Sequence, residues 1–375
     1  MFSKFTTFFR GYDWFLAVVI FVLCAISLSA IYSVDLSQGK DLVYFPKQLL
    51  NIIIGFILVF VLGRVHRTRY MGLARFVYIF GLLLLILVLF FGQNIRGTTG
   101  WFRVAGFSFQ PAEYAKFALI ILLGWWIQKQ GRSFHSISFL ISTALAMGFL
   151  VGLVMLQPDF GSAMVLVGIW YGMLVVVGVK KRFTAGIVLI GIFAMVCAWF
   201  FLLVPYQKER IYSFLQPDRD PLGSGYNVRQ SLIAIGSGKL FGGGIGFGSQ
   251  SQLHFLPEAQ TDFIMSVVGE ELGFVGFFLV LVLWYMLIWR LISIASKGDD
   301  DFSSYTVIGV ALLYCIQILV NVGGATGMLP VTGVTSPFLS YGGSSLLINF
   351  ALLGVVMSIS RSQTLRINKD MYYVE

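Results

Sequence analysis

Leu256-Pro-Glu-Ala-Gln-Thr-Asp-Phe-Ile-Met-Ser-Val-Val-Gly-Glu-Glu-Leu-Gly273 carries four carboxylates, Glu258, Asp262, Glu270 and Glu271, where a long polar segment gives way to a hydrophobic run. Acids are costly at membrane depth, so a cluster there marks a functional site by default. The rest of the chain decides whether this is membrane depth. Of 375 residues, 58% are hydrophobic and 11% charged, and the mean hydropathy is +0.86. A soluble domain carries about 25% charged residues. The composition is that of an all-α polytopic membrane protein and excludes a large soluble core.

A hydrocarbon core is crossed by about 20 apolar residues. Ten spans are predicted, at 14–33, 45–63, 72–91, 114–128, 137–156, 160–179, 183–204, 264–294, 303–328 and 343–360. The first follows Lys4 and Arg10 as a signal peptide would, but the many later spans favour an uncleaved first helix. Lys and Arg concentrate in alternate short segments, among them Arg64–Arg75, Lys180-Lys181-Arg182 and the tail with Arg361, Arg366 and Lys369. The positive-inside rule then places both termini in the cytoplasm. The connection at about 205–262, between helices 7 and 8, becomes extracytoplasmic and far longer than the others. Ordered loops of that length are usually functional, and most acidic residues also fall on the outer side. The chain reads as a single transmembrane domain over 1–375. The net charge of +9 is dispersed over short loops, which does not suggest nucleic acid. Cys24, Cys197 and Cys315 lie in apolar runs without metal-ligand spacing.

Five further stretches carry polar residues into this apolar background. In Gln110-Pro-Ala-Glu-Tyr-Ala-Lys116, Pro111 suits a helix's first turn and Glu113 its positive end. Glu113 and Lys116 share one face, as a capped helix start or as a charged pair lining an outward cavity. Gln157-Pro-Asp-Phe-Gly-Ser162 joins two spans with almost no loop, and Asp159 can cap the sixth helix. Asn227 to Ile235 suits a short amphipathic helix. The glycine-rich run Gly236–Gly248 is not a Walker A motif, since Leu240 follows Gly238-Lys239. Its glycines suit close packing of backbone against a surface or ligand. Asn321–Ser345 is rich in Gly, Pro, Ser and Thr and reads as the wall of a pocket, where non-helical backbone at membrane depth is tolerated.

In the opening stretch, a helix starting at Pro257 would place Glu258 and Asp262 on one face, with Glu270 near it. Asp262 directly precedes the apolar run, where partial desolvation would suit a general base. The alternative is a solvated helix-start residue. Glu270 and Glu271 are expected to pair with loop cations or to cap packing. Asp299-Asp-Asp301 reads as solvated charge without chemistry.

Together FSFQPAEYAK, QPDFGSA, DPLGSGYN, LPEAQTDFIMSVVGEELG and LPVTGVTSPFLSYGGSSLL, in this order, resemble the SEDS family (shape, elongation, division and sporulation), over about residues 10–361. GSGYNVRQSLIAIGSG and LPVTGV look more like the RodA branch than the FtsW branch. The stretch Gly97–Phe102 departs from the pattern, with Gly100 where an Arg often precedes the Trp. The resemblance implies a ten-helix peptidoglycan glycosyltransferase in the cytoplasmic (inner) membrane. Its active site would face outward and polymerise lipid II for elongation and rod shape, among membrane lipids and beside a class B penicillin-binding protein. It makes Asp262 the essential acid, Glu113 and Lys116 a charged pair on the fourth helix, and Arg210 a loop cation. Glu258, Gln260 and Ser340 join them as substrate-binding candidates. No metal motif exists, although Mg²⁺ or Mn²⁺ near Asp262 is an expectation from the pyrophosphate chemistry. Two other classes compete: a flippase or transporter of a lipid-linked precursor, whose broken helices would look alike, and a non-catalytic activator of the penicillin-binding protein.

Overall fold

The computed structural model describes residues 11–37, 42–95, 97–104, 107–131, 136–201, 208–209, 212, 214 and 224–371. The helices are α1 (Trp14–Ser37), α2 (Tyr44–Leu62), α3 (Arg67–Phe91), α4 (Pro111–Gln130), α5 (Ile137–Met155), α6 (Phe160–Val177), α7 (Lys181–Phe201), α8 (Ser224–Ser237), α9 (Ser249–Gln252), α10 (Ile264–Ser296), α11 (Asp301–Ala325) and α12 (Gly343–Met371). Between α3 and α4 lies an antiparallel sheet of β1 (Gln93–Ile95), β2 (Thr98–Val104) and β3 (Phe107–Phe109), in that order. Among the described residues, nine helices are long and apolar enough to cross a membrane. The protein is a multi-pass membrane protein.

The expected span outside those nine is the fourth, α4, which carries Glu113, Lys116 and Lys129. It packs against α3, α6 and α11, so protein rather than lipid covers it. Small residues let the helices approach: Gly124 faces Thr306 and Phe302, and Gly309 faces Ile120. These pairs set α4 and α11 antiparallel, bringing Gln317 to the depth of Glu113. By contrast α7 lies at the rim and buries only Ala198. Pro111 opens α4 as expected. Asp159 caps α6, accepting from the Ser162 N–H at 2.9 Å.

The long connection between α7 and α10 is folded onto the bundle wherever it is described. The expected amphipathic helix is α8, longer at both ends, and its Ser231 bonds Ser266 and the Ala325 carbonyl at 2.6 and 2.5 Å. The glycine-rich run packs closely on the backbone of α10. The N–H groups of Gly243 and Gly244 donate to the Glu270 and Glu271 carbonyls, each at 3.0 Å. At the contact, Gly242 (φ +80°) meets Gly273 (φ +66°), where α10 kinks. A Cβ at either position would strike backbone.

At the opposite end of the bundle, Asp299 pairs with Arg67 at 2.7 Å and Arg366 at 3.4 Å, and Asp300 caps α11. The acidic triplet is therefore partly engaged in tying α3, α11 and α12 together.

A candidate active site at the polar end of the bundle

The expected helix from Pro257 does not form, and α10 starts at Ile264. Glu258 stands at φ +56°, outside the helical region. Its carbonyl accepts from the Thr261, Asp262 and Phe263 N–H groups at 3.1, 3.2 and 3.4 Å, closing a compact turn. Glu258 Oε2 also accepts from the Thr261 hydroxyl at 3.1 Å.

The next carbonyls bond sideways instead of along a helix. Tyr341 N–H donates to the Gln260 carbonyl at 2.8 Å. The Ser340 hydroxyl donates to the Thr261 carbonyl at 2.8 Å and accepts from the Ser336 N–H at 3.0 Å. Asn321 Nδ2 reaches the Asp262 carbonyl at 3.3 Å and the Val334 carbonyl at 3.0 Å. The Asp262 turn is thereby bolted to the irregular 326–342 connection, while Asp262 itself stays half-buried. That connection is fixed in turn by α1 and α2: Ser27 donates to the Leu339 carbonyl at 2.6 Å and Gln48 to the Ser340 carbonyl at 3.3 Å. Burial, with Tyr44 and Asp35 nearby, pushes the Tyr341 phenol above its ordinary value, so it stays neutral.

Glu113 and Lys116 form a 2.7 Å ion pair, and Lys116 is only 1% exposed. The pair lies beneath the surface of the site rather than on it. Above it, Gln110 Nε2 donates to Asp159 at 2.8 Å, and the Gln110 N–H donates to Ser344 at 3.0 Å. Six expected residues therefore lie at one end of the bundle in two groups: Glu258, Gln260, Asp262 and Ser340 together, and Glu113 with its partner Lys116 below Gln110. Arg210 lies outside the described residues.

Sequence reading missed two layers of this site. Asn321, which holds the Asp262 carbonyl, was visible as the start of the expected pocket wall, without its partner. Four residues along the same face, Gln317 is fully buried and both its amide atoms lack partners among the described residues. Polar atoms buried this way are commonly met by internal water. The sheet was also missed, though it explains Gly100, where a Cβ would approach Gln157 Oε1 to 2.9 Å. Glu270 and Glu271 accept not from loop cations but from main chain and hydroxyls. Glu270 takes the Gln250 and Ser251 N–H groups at 2.7 and 3.1 Å. Glu271 takes Gly246 N–H at 3.3 Å and the Ser33 hydroxyl.

No group of three or more His, Cys, Asp or Glu able to hold a metal ion occurs among the described residues. The donor set does not form a protein cage for Mg²⁺ or Mn²⁺.

The sequence matches the family FTSW_RODA_SPOVE, described as "Cell cycle protein", over residues 11–365. Stage V sporulation protein E of Bacillus subtilis (strain 168) is 37% identical over 357 residues, 93% of this chain and 97% of that protein. Peptidoglycan glycosyltransferase MrdB of Escherichia coli (strain K12) is 35% identical over 346 residues, 91% of each chain. A solved chain from a peptidoglycan synthase complex that coordinates polymerization and crosslinking superposes with TM-score 0.80. It is 33% identical and covers 94% of this chain and 99% of its own. With the family model matched over residues 11–365 and these relatives more than 30% identical over at least nine-tenths of the chain, this chain belongs to the FtsW/RodA/SpoVE family.

Proposed function

We propose that the protein is a peptidoglycan glycosyltransferase that polymerises lipid II into glycan strands at the outer face of the cytoplasmic membrane. The observation that carries this reading is the placement of Asp262. A carboxylate-bearing residue sits half-open on a turn whose carbonyls at Gln260, Thr261 and Asp262 are held by Tyr341, Ser340 and Asn321. Such immobilisation from three directions is what a base needs to meet a hydroxyl in a fixed pose.

In this reaction a sugar 4-hydroxyl attacks the anomeric carbon of a second lipid-linked glycan, and the lipid pyrophosphate leaves. Asp262 takes the hydroxyl proton as the new C–O bond forms, a role worth about 10²–10⁴-fold. One direct displacement inverts the anomeric centre and needs no second nucleophile. Glu258, Gln260 and Ser340 shape the sugar-facing turn. The buried Lys116–Glu113 pair supports the floor below Gln110, and Arg210 is assigned to the leaving pyrophosphate. Asp262 would be the carboxylate to hold an Mg²⁺ or Mn²⁺ beside the pyrophosphate, the ion would supply charge stabilisation of the leaving group, and no step above depends on it. The polyprenyl chains stay in lipid beside the helices. The partner is a class B penicillin-binding protein, and the service is elongation and rod shape, an assignment supported by the RodA-like motifs.

The test is a gel assay for glycan chains. Purified protein with its class B partner receives labelled lipid II, with Mg²⁺, Mn²⁺ or EDTA in parallel. Long chains from the wild type and none from folded Asp262→Ala are expected. Chains of equal length and yield from Asp262→Ala would remove the base assignment. No chains from either, with the partner bound, would move the function to transport or to activation of the partner.

A further inference from the structure

The end of the bundle opposite the polar site holds a cleft between the start of α1, the end of α2 and the middle of α12. Its empty space is about 230 Å³, and its walls include Trp14, Val18, Phe21, Phe56, Phe60 and Met357. Interlocked rings keep it from collapsing. Phe56 lies against Phe21 and Phe350 at centroid distances of 6.4 and 5.2 Å. Tyr12 stacks obliquely on Phe60 at 5.5 Å and donates its hydroxyl to the Phe60 carbonyl at 2.9 Å. Trp14, Val18 and Phe21 are 50, 59 and 63% exposed, so the cleft opens toward lipid. From Trp14 to Phe21 it runs about 10 Å along α1.

A cation stands at one end of this slot. Arg361 follows Met357 by one turn of α12, and its guanidinium lies 5.7 Å from the centre of the Tyr12 ring. Its Nε is buried and has no hydrogen-bond partner among the described residues. Arg64, just beyond α2, is exposed nearby in sequence to Phe60. An apolar slot with a cation at its end complements an amphiphile with a negative head. A helix, about 10–12 Å across with side chains, is too wide for a space this small, whereas the headgroup-proximal part of one acyl chain fits its length.

We propose that the cleft binds an anionic phospholipid of the bilayer, with one acyl chain between α1, α2 and α12 and the phosphate on Arg361. The site is independent of the catalytic reading above. Purified protein in detergent would be titrated with phosphatidylglycerol and, separately, phosphatidylcholine, and retained lipid counted by native mass spectrometry. A preference of about fivefold for phosphatidylglycerol is expected from one basic contact. Arg361→Gln abolishes the preference, Arg361→Lys keeps it, and Val18→Trp, at a lipid-facing position that does not endanger folding, fills the slot and lowers retention of both lipids. Equal retention of the two lipids by the wild type, or unchanged retention in Val18→Trp, overturns the proposal. Complete displacement of phosphatidylglycerol by an equal amount of polyprenyl phosphate overturns it too, by assigning the slot to an isoprenoid carrier.

Discussion

Asp262 and the pair Glu270–Glu271 belong to one short stretch of chain but occupy opposite environments. Glu270 and Glu271 are 3 and 2% exposed, and their oxygens are met by the N–H groups of Gly246, Gln250 and Ser251 and the Ser33 hydroxyl. Asp262 is half-buried, and the neighbouring loops grip its main chain. A carboxylate sealed by donors fixes the fold, because the donors and the acid would each be costly to leave unmatched. A half-buried acid on a backbone braced from several sides is the one placed for chemistry. The difference lies in what the loops' donors reach: acid side chains from 246–251, main-chain carbonyls from 326–342.

The largest expected effect tests the reactive half of this contrast. Asp262→Asn lowers polymerisation by about 10²–10⁴-fold, with the thermal unfolding midpoint in detergent unchanged. A variant as fast as the wild type would erase the distinction. The structural half is tested by Glu270→Ala, which strands the Gln250 and Ser251 N–H groups at a cost of about 1–3 kcal/mol each. Its unfolding midpoint drops and protease cuts near Ser249–Gln252 appear; an unshifted midpoint would show that the seal carries no stability. Gly242→Ala sharpens the same point from the backbone. Its Cβ would lie 2.0 Å from the Glu271 carbonyl oxygen at φ +80°, so about 1–3 kcal/mol is expected. Hydrogen exchange at Gly243 and Gly244 should accelerate, and unaltered protection counts against the docking. Ser340→Ala removes one donor under the Asp262 turn, about 1 kcal/mol, and should lower kcat more than it raises KM. A change in KM alone would make Ser340 a binding group instead of a support. The smallest effect is Asp299→Asn at the other end, where partly exposed ion pairs contribute under about 1 kcal/mol. Polymerisation should not change, and a large loss there would mean that the two ends communicate.

The transmembrane helices were legible because each is a long apolar run, and Pro111 and Asp159 announced their helix starts. Membership of the site was legible at Asp262, because an acid immediately before such a run has few bland explanations. What sequence did not disclose was pairing across distance. The helix expected from Pro257 fails because its carbonyls bond Ser340 and Tyr341, residues far along the chain. The partners of Glu270 and Glu271 were expected to be cations because charge is visible in a sequence, whereas main-chain N–H groups are present everywhere and mark nothing. The sheet at 93–109 was missed because its strands are short, with Gly97 turning at φ +80° between β1 and β2.

The kink at Gly273 fixes a level in the bilayer. An unbroken α10 of 33 residues would measure about 50 Å, against a hydrocarbon core of about 30 Å. The surface of the helix changes at the break. Ile264–Glu271 is buried throughout, whereas Phe274, Val275 and Phe278 are 59, 50 and 54% exposed. The part that lipid touches begins at Phe274, and its remaining length of about 35 Å matches the oil. Phe241 and Phe247, 80 and 81% exposed on the loop docked at the break, stand at the height where aromatic belts sit. Gly273 marks the change from a protein-covered to an exposed helix surface, and Asp262 stands just before the covered part. On the proposed reaction, a sugar would be worked on there without entering the oil, while the isoprenoid that carries it would never have to leave.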